Sequence, residues 1–228
     1  MTTEGWRLLA LTLALHAGLA GVSAAEQAGT GSSTPAAPVY LQVAPVVTVH
    51  TEGEQYHRAS PPLKGTTIGG ALTAGVRLVP ELAFEAEVLF GGKLSAPIVD
   101  SYSTRTDYTA ESRDIVLGAN LRFRPRGGSH LEFTAGGGVA FSRFARRDIV
   151  TTSFFPPGII TRWPDQETST TNPTVSGSMA ISIPLSPRVE LVPSIGARWI
   201  RREFDTDAWY FGVGRYTVFF SAALRVRP

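Results

Sequence analysis

Apolar side chains recur at every second position along most of the chain after residue 38, and this alternation limits what the chain can fold into. The clearest sets lie in residues 82–90, 115–123, 131–141 and 175–183. Side chains two positions apart on an extended chain point to the same side, so each set forms the apolar face of a β-strand. No stretch keeps a helical period for three turns. The sequence therefore predicts an all-β protein.

Four less regular segments, residues 39–51, 66–78, 188–201 and 214–225, bring the number of predicted strands to eight. Each predicted strand has roughly 11–14 residues, about twice the usual strand length in globular sheets. Strands of this length match a tilted crossing of a membrane, which takes about 9–11 residues.

The connections between these segments alternate between short and long. Three short gaps, at residues 79–81, 125–128 and 186–187, contain the Pro or Gly that a sharp reversal needs. The four other gaps are long and polar, and they cover residues 52–65, 91–110, 145–172 and 202–213. Short turns that all fall at one end are typical of an up-and-down barrel. The predicted fold is an eight-stranded antiparallel up-and-down β-barrel.

Alternation does not show which face of the barrel meets water. A soluble lipocalin-like barrel places the apolar face inside, whereas a transmembrane barrel places it outside, against lipid. Strand length and the clustering of long gaps at one end favour the transmembrane barrel. The polar face also favours it, because Gly, Ala, Ser and charges of both signs suit a narrow, crowded interior. A soluble ligand-binding barrel is the alternative.

The N-terminal residues predict export. An apolar run at residues 6–19 has the basic residue Arg7 near its start and is followed by the small residues 21–25. This is the form of a secretory signal peptide spanning residues 1–25. Residues 26–38 are small, polar and proline-bearing, and they predict a flexible periplasmic linker. Residues 39–228 remain for the barrel.

Composition excludes several kinds of chemistry. The chain has no cysteine, which excludes disulfides, thiolate metal sites and a thiol nucleophile. Its formal net charge of +2 is too small to indicate nucleic-acid binding. No His-x-Ser pair of the kind found in a family of lipid-A-modifying barrels is present, and the acidic residues of the last gap are typical of a solvated loop. We predict no catalytic residue, cofactor or metal; a lipid-modifying barrel enzyme is an alternative.

An apolar exterior would place ionisable side chains inside the barrel. The predicted lumen ion-pair network comprises Arg77, Glu85, Glu87, Arg122, Glu132, Glu190, Arg198 and Arg225. Isolated charges in so narrow a space would be costly, and arginine can contact two carboxylates at once, so pairing is expected. Eight strands leave room for little more than side chains. This favours a plugged lumen; a narrow pore for ions or small solutes is the alternative.

The long gaps contain apolar and aromatic residues that could contact an extracellular ligand. These loop interaction candidates are Phe154, Phe155, Ile159, Ile160, Trp163, Trp209 and Tyr210. Aromatic side chains also form girdles at both membrane interfaces, and this second interpretation stays open for those near strand ends. Residues 101–109, rich in Ser, Thr and Tyr, favour a surface-exposed hairpin.

Taken together, the exported N-terminus, the eight strands, the turn and loop asymmetry and the closing segment 215–226 resemble the small eight-stranded outer-membrane barrels of the OmpA transmembrane-domain and OmpX type. The resemblance implies a monomer in the outer membrane of a Gram-negative bacterium. It implies contact with outer-membrane lipid and lipopolysaccharide, and insertion by the barrel assembly machinery. The expected function is non-catalytic: envelope integrity, surface interaction through long extracellular loops, or both.

Overall fold

The structure is a computed structural model that describes residues 39–52, 63–101, 104–126, 130–154, 158–202 and 213–227. The predicted signal peptide and linker lie outside these residues. The first strands are β1 (Val39–Glu52), β2 (Gly65–Val79), β3 (Leu82–Phe90), β4 (Leu94–Ser101), β5 (Thr104–Phe123) and β6 (Leu131–Ser153). The remaining strands are β7 (Ile160–Arg162), β8 (Gln166–Ile181), β9 (Ile183–Pro184), β10 (Val189–Ile200) and β11 (Val213–Val226). Within the described residues, no helix has the length and apolar character to cross a membrane.

Eight of these strands close into a ring in which every neighbouring pair is antiparallel. The order around the ring is β1, β2, β3, β5, β6, β8, β10 and β11, and β11 pairs with β1. Following the residue pairing once around the ring from Val226 leads back to Tyr216 on the same strand, a stagger of ten residues. A stagger of this kind tilts the strands so that a barrel can close. The predicted eight-stranded up-and-down barrel is confirmed.

The three remaining strands extend ring strands. β9 continues β8 past Ser182 and keeps the same register against β10. β4 continues β3 along β5, and β7 turns back beside β6. β5 and β6 are accordingly 20 and 23 residues long, and they project beyond the ring at one end. We call this the loop end, and the opposite end, which carries the short connections, the turn end.

The prediction that residues 91–110 and 145–172 are long polar loops is wrong for most of their length, whereas the hairpin predicted around residues 101–109 agrees with the pairing of β4 and β5. β4 and the start of β5 form a hairpin at residues 94–110, and β6, β7 and β8 account for most of residues 145–172. These stretches contain many Thr residues, whose β-branched side chains suit strands. They lack apolar alternation because this part of the sheet lies beyond the apolar exterior of the ring.

The outer surface of the ring is apolar and its interior is polar. Phe84 and Ile181 point outward and are 44% and 51% exposed, whereas the adjacent inward-facing Glu85 and Ser182 are 1% exposed. The outward-facing apolar residues form a band that we call the apolar belt; it includes Leu41, Val43, Val47, Ile68, Leu72, Phe84, Leu121, Phe133, Val175, Met179, Ile181, Ile195, Val218, Phe220 and Leu224. A water-soluble barrel would have the opposite distribution. The fold is therefore an eight-stranded transmembrane β-barrel.

Candidate functional site: the closed lumen

Glu132 occupies the centre of an ion-pair lattice at the turn end of the lumen. This side chain on β6 is 1% exposed and accepts hydrogen bonds from three guanidinium groups, those of Arg122, Arg124 and Arg225. Arg225 Nη2 lies 2.6 Å from Glu132 Oε2, and Arg124 Nε lies 3.0 Å from Glu132 Oε1. The short connection between β5 and β6 keeps the first two arginines close to Glu132 in the chain.

The lattice continues across the lumen through Glu85 on β3. Arg122 Nε donates to Glu85 Oε1 at 2.7 Å, so one guanidinium group joins Glu85 to Glu132. The hydroxyl of Tyr40 on β1 donates to the same Glu85 oxygen at 2.6 Å. The carboxylates of Glu85 and Glu132 and the guanidinium group of Arg122 thus provide hydrogen-bond partners for one another away from water, as buried charges require.

The other side of the lattice is built by the last two ring strands. Arg225 Nη1 on β11 donates to Glu190 Oε2 on β10 at 2.8 Å, and Arg225 Nε donates to Gln42 Oε1 on β1 at 2.8 Å. Arg227 also donates to Glu190. The turn-end lattice, as we use the term, consists of Tyr40, Gln42, Glu85, Arg122, Arg124, Glu132, Glu190, Arg225 and Arg227. It connects six of the eight ring strands and closes the lumen at the turn end.

Gly75 allows Tyr40 to reach the lattice, and this leads to a testable prediction. A Cβ atom at Gly75 would lie 2.2 Å from the Tyr40 ring, which is buried and hydrogen-bonded to Glu85. We expect Gly75→Ala to lower the free energy of unfolding by about 1–3 kcal/mol, the usual cost of overpacking an interior. Urea titration of the folded barrel in detergent measures this change.

Gly70 on the same strand provides the matched control, because a Cβ there has no atom closer than 3.7 Å. Gly70→Ala should leave the unfolding free energy within about 0.5 kcal/mol of the unmodified protein. Equal effects of the two substitutions would show that Tyr40 does not occupy the position described.

A polar cavity lies above the turn-end lattice, towards the middle of the lumen. Its volume is about 60 Å³, and Ser176, Ser178, Ser194 and Ser221 contribute hydroxyl groups to its wall. Arg198 Nη2 donates to Glu87 Oε1 at 2.8 Å within this wall. A cavity of this size and polarity has room for a few water molecules.

Two further layers close the lumen towards the loop end. Val46, Leu89 and Val116 are part of a buried apolar layer above the cavity. Beyond it, Arg202 Nη2 donates to Asp114 Oδ2 at 2.9 Å, and Arg202 Nη1 donates to Ser142 Oγ at 3.0 Å. An apolar cap follows, consisting of Leu63, Leu94, Ile98, Tyr108, Ala110, Phe144, Ile149 and Val213. The cap draws on β4, β5 and β6 where they project beyond the ring.

The structure places the predicted lumen residues as follows. Seven of them form ion pairs with one another: Glu85, Glu87, Arg122, Glu132, Glu190, Arg198 and Arg225. Arg77 lines a small cavity at the turn end and makes no ion pair with another described residue. Glu87 and Arg198 form a separate pair in the middle of the lumen.

Sequence reasoning missed Tyr40, Gln42, Arg202 and Arg227. The alternation in β1 could have identified the first two, because both share the inward face with Ala44 and Val46. No pattern identified Arg202 or Arg227, which follow the last residues of β10 and β11.

The loop interaction candidates fall into two groups. Phe154, Ile159, Ile160 and Trp163 lie near the tip of the projecting β6–β7 hairpin and are more than half exposed. Phe155, Trp209 and Tyr210 lie outside the described residues.

Ion pairs also lie on the outer face of the projecting strands. Arg147 Nη1 donates to Asp165 Oδ2 at 3.0 Å, and Arg143 Nη2 donates to Glu167 Oε2 at 2.5 Å. This hydrogen bond from Arg143 holds the pKa of the Glu167 carboxyl below its usual value. Within the described residues, no cluster of three or more His, Asp or Glu side chains is arranged to hold a metal ion.

The closed ring, its stagger and its apolar exterior define a small transmembrane β-barrel of the outer-membrane type. Solved structures of this type match the chain. Neisserial surface protein A matches at 15% identity over 83% of this chain and 97% of that chain, with a TM-score of 0.48. Ail of Yersinia pestis, in complex with the heparin analogue sucrose octasulfate, matches at 9% identity over 84% and 98%, with a TM-score of 0.46.

The outer membrane protease OmpT from Escherichia coli matches at 10% identity over 88% of this chain and 99% of that chain, with a TM-score of 0.45. No family model matches the sequence, and no curated protein is significantly similar to it. At these identities and TM-scores the assignment to a barrel class rests on the strand pairing and on the distribution of exposed and buried side chains in this chain.

Proposed function

We propose that this protein is a non-catalytic outer-membrane barrel of a Gram-negative bacterium that contributes to envelope integrity and makes surface contacts through its loop end. The observation that carries this proposal is the filled lumen. The turn-end lattice fills one end, and the apolar cap covers the other. A barrel filled in this way acts through its outer surface.

The alternative of a narrow pore has one observation in its favour, the polar cavity of about 60 Å³. The apolar layer around Val46, Leu89 and Val116 lies on one side of this cavity, and the turn-end lattice lies on the other. Ions crossing the barrel would have to displace both. Eight-stranded barrels also lack the width at which aqueous channels occur, so the filled barrel is the better explanation.

The projecting β5–β6 sheet supports the surface role. β6 continues for eleven residues from Arg143 to Ser153, which is up to about 33 Å along the strand. Ile159 and Ile160 near its tip are 63% and 67% exposed. Apolar side chains surrounded by polar ones and held away from the apolar belt are typical of a contact site.

Arginines border the apolar belt at the loop end. Arg113 and Arg143 lie opposite each other on β5 and β6, both on the outward face, and Arg201 follows β10 on the same side. Guanidinium groups at this level would face the phosphate groups of lipopolysaccharide, for which arginine is well suited. This arrangement supports the outer-membrane lipid partners that we propose.

Removing the apolar tip should abolish surface contacts. We expect cells that display the Ile159→Ser, Ile160→Ser double variant to lose at least tenfold in retention on surfaces that hold cells with the unmodified protein. Immobilised heparin, immobilised matrix protein and a lawn of the same cells serve as the surfaces. The double variant Thr170→Ala, Thr171→Ala on β8 is the control and should retain the original behaviour. Equal retention of cells with and without the protein on every surface would contradict the surface role.

Whether the tip lies on the cell surface can be measured independently by thiol labelling. Because the chain has no cysteine, a single introduced cysteine is its only thiol. Ile160→Cys should react with a bulky polyethylene glycol maleimide on intact cells. Ser186→Cys, which is exposed in a connection at the turn end, should react only after the cells are opened. The opposite labelling pattern would place the projecting sheet in the periplasm.

A further inference from the structure

The turn end of the lumen carries more positive than negative charge among the described residues. Five guanidinium groups lie in or beside the turn-end lattice, those of Arg77, Arg122, Arg124, Arg225 and Arg227. Three carboxylates oppose them, those of Glu85, Glu132 and Glu190. Glu81, also at this end, is paired with Arg126 at 2.5 Å. Among these described groups, the five guanidinium charges therefore exceed the three carboxylate charges by two.

Arg77 is the arginine that the lattice leaves unpaired. Its side chain makes no hydrogen bond and no ion pair with another described residue. The neighbouring charges that act on it are mostly positive, from Arg124, Arg225 and Arg227, and one is negative, from Glu190. Glu190 already accepts hydrogen bonds from two arginines. A guanidinium group among like charges in a half-buried position needs a counter-ion.

The space beside Arg77 suits a small anion. Arg77 and Arg124 line a cavity of about 20 Å³ at the turn end. Its wall also includes Arg122, Arg225 and the carboxylates of Glu81 and Glu132, both of which are already paired with arginines. This volume admits one or two oxygen atoms of a phosphoryl group, whose other atoms would lie outside the cavity at its mouth, and it excludes a sugar ring. The Arg124 and Arg227 side chains are 26% and 28% exposed, so a ligand can reach them. Arg227 Nε is buried and has no hydrogen-bond partner among the described residues.

We propose that Arg77, Arg124 and Arg227 form a binding site for a phosphoryl group at the turn-end mouth of the barrel. A phosphate dianion matches the two excess charges, and guanidinium groups bind phosphate oxygens in pairs. The phosphoryl group has two sources at this position: free phosphate, or the headgroup of a lipid in the adjacent leaflet. This site is independent of the surface role of the loop end.

The test uses the full chain folded in a non-ionic detergent free of phosphate. Inorganic phosphate is titrated in one arm and dihexanoyl phosphatidic acid in the other, and the guanidinium Nε–H resonances of Arg77 and Arg124 are followed by NMR. We expect a saturable shift of both resonances in at least one arm. Arg77→Gln should weaken the apparent affinity about tenfold, the effect of one lost charge-assisted contact, as read from the Arg124 resonance.

Arg188→Gln is the matched control, because Arg188 is an exposed arginine at the same end and its loss changes net charge equally. Its affinity should stay within twofold of the unmodified protein. Arg77→Lys, which keeps the charge and loses the paired donors, serves as the second variant and should have intermediate affinity. Tighter binding of inorganic phosphate identifies the free ion as the ligand, and tighter binding of phosphatidic acid identifies the lipid. Shifts that fail to saturate in both arms, or equal losses in Arg77→Gln and Arg188→Gln, would overturn the proposal.

Discussion

Replacing Glu132 with glutamine is expected to lower the free energy of unfolding by about 3–5 kcal/mol, the usual cost of removing one partner from a buried ion pair. Glu132 is 1% exposed and is shared by Arg122, Arg124 and Arg225. Without its charge, three guanidinium groups remain close together in a narrow lumen. Urea unfolding in lipid vesicles, followed by tryptophan fluorescence, measures the change.

Glu167→Gln is the control for this substitution. Glu167 also contacts two arginines, Arg143 and Arg147, but it is 36% exposed on the projecting sheet. Water screens such pairs, so Glu167→Gln should lower the free energy of unfolding by less than about 1 kcal/mol. Planar-bilayer recordings should detect no nanosiemens openings in the unmodified protein or in Glu132→Gln. Openings of that size in the unmodified protein would contradict the plugged lumen.

Placing a charge on the apolar belt should lower the free energy of unfolding by an amount similar to that expected for Glu132→Gln. Leu72 lies midway along the outward face of β2, is 50% exposed, and is flanked by Val43 and Val88 on the neighbouring strands. We expect Leu72→Arg to lower the unfolding free energy by about 2–4 kcal/mol, because the guanidinium group would enter hydrocarbon near the middle of the membrane. The same vesicle-based unfolding experiment measures the change.

Thr66→Arg provides the comparison, because Thr66 is exposed on the same face of β2 near its loop end. Near the membrane interface the expected cost is about 0–1 kcal/mol. A surface in contact with water would tolerate arginine at both positions. Equal and small effects of the two substitutions would therefore contradict a lipid-facing belt.

The barrel could be predicted from the sequence because lipid acts on one face of every crossing strand. It selects apolar side chains at alternate positions, such as Phe84, Leu121, Phe133 and Ile181. The position of each strand, the face that meets lipid and the approximate strand length can therefore be predicted from the sequence. Tight turns between strands add Pro and Gly at regular intervals. These local signals were sufficient for the strand number and the order around the ring.

The projecting strands could not be predicted in the same way. Beyond the belt no lipid selects one face, so the first part of β5 and the last part of β6 lack apolar alternation. Their pairing depends on backbone hydrogen bonds and on contacts such as that between the hydroxyls of Thr106 and Thr151, 3.3 Å apart. The apolar cap could not be predicted from the sequence either, because it brings Leu63 and Val213 together from distant parts of the chain.

The lattice was partly accessible from the sequence. The alternation of inward- and outward-facing side chains along each strand identified inward-facing residues such as Glu85 and Glu132. It does not show which arginine contacts which carboxylate. Arg122 joins two glutamates, whereas Arg77, on the same face and near the same end, contacts neither. That difference depends on side-chain reach across a curved wall, which strand periodicity does not contain.

The lipid-facing exterior can be tested directly with two adjacent valines on β1. Val47 is 36% exposed on the apolar belt, and Val46 is 2% exposed in the lumen. In lipid nanodiscs, NMR should show short-range cross-relaxation from acyl-chain protons to the methyl groups of Val47 and none to those of Val46. Cross-relaxation to Val46 with none to Val47, or from water to Val47, would show that the two faces of the barrel are assigned the wrong way round.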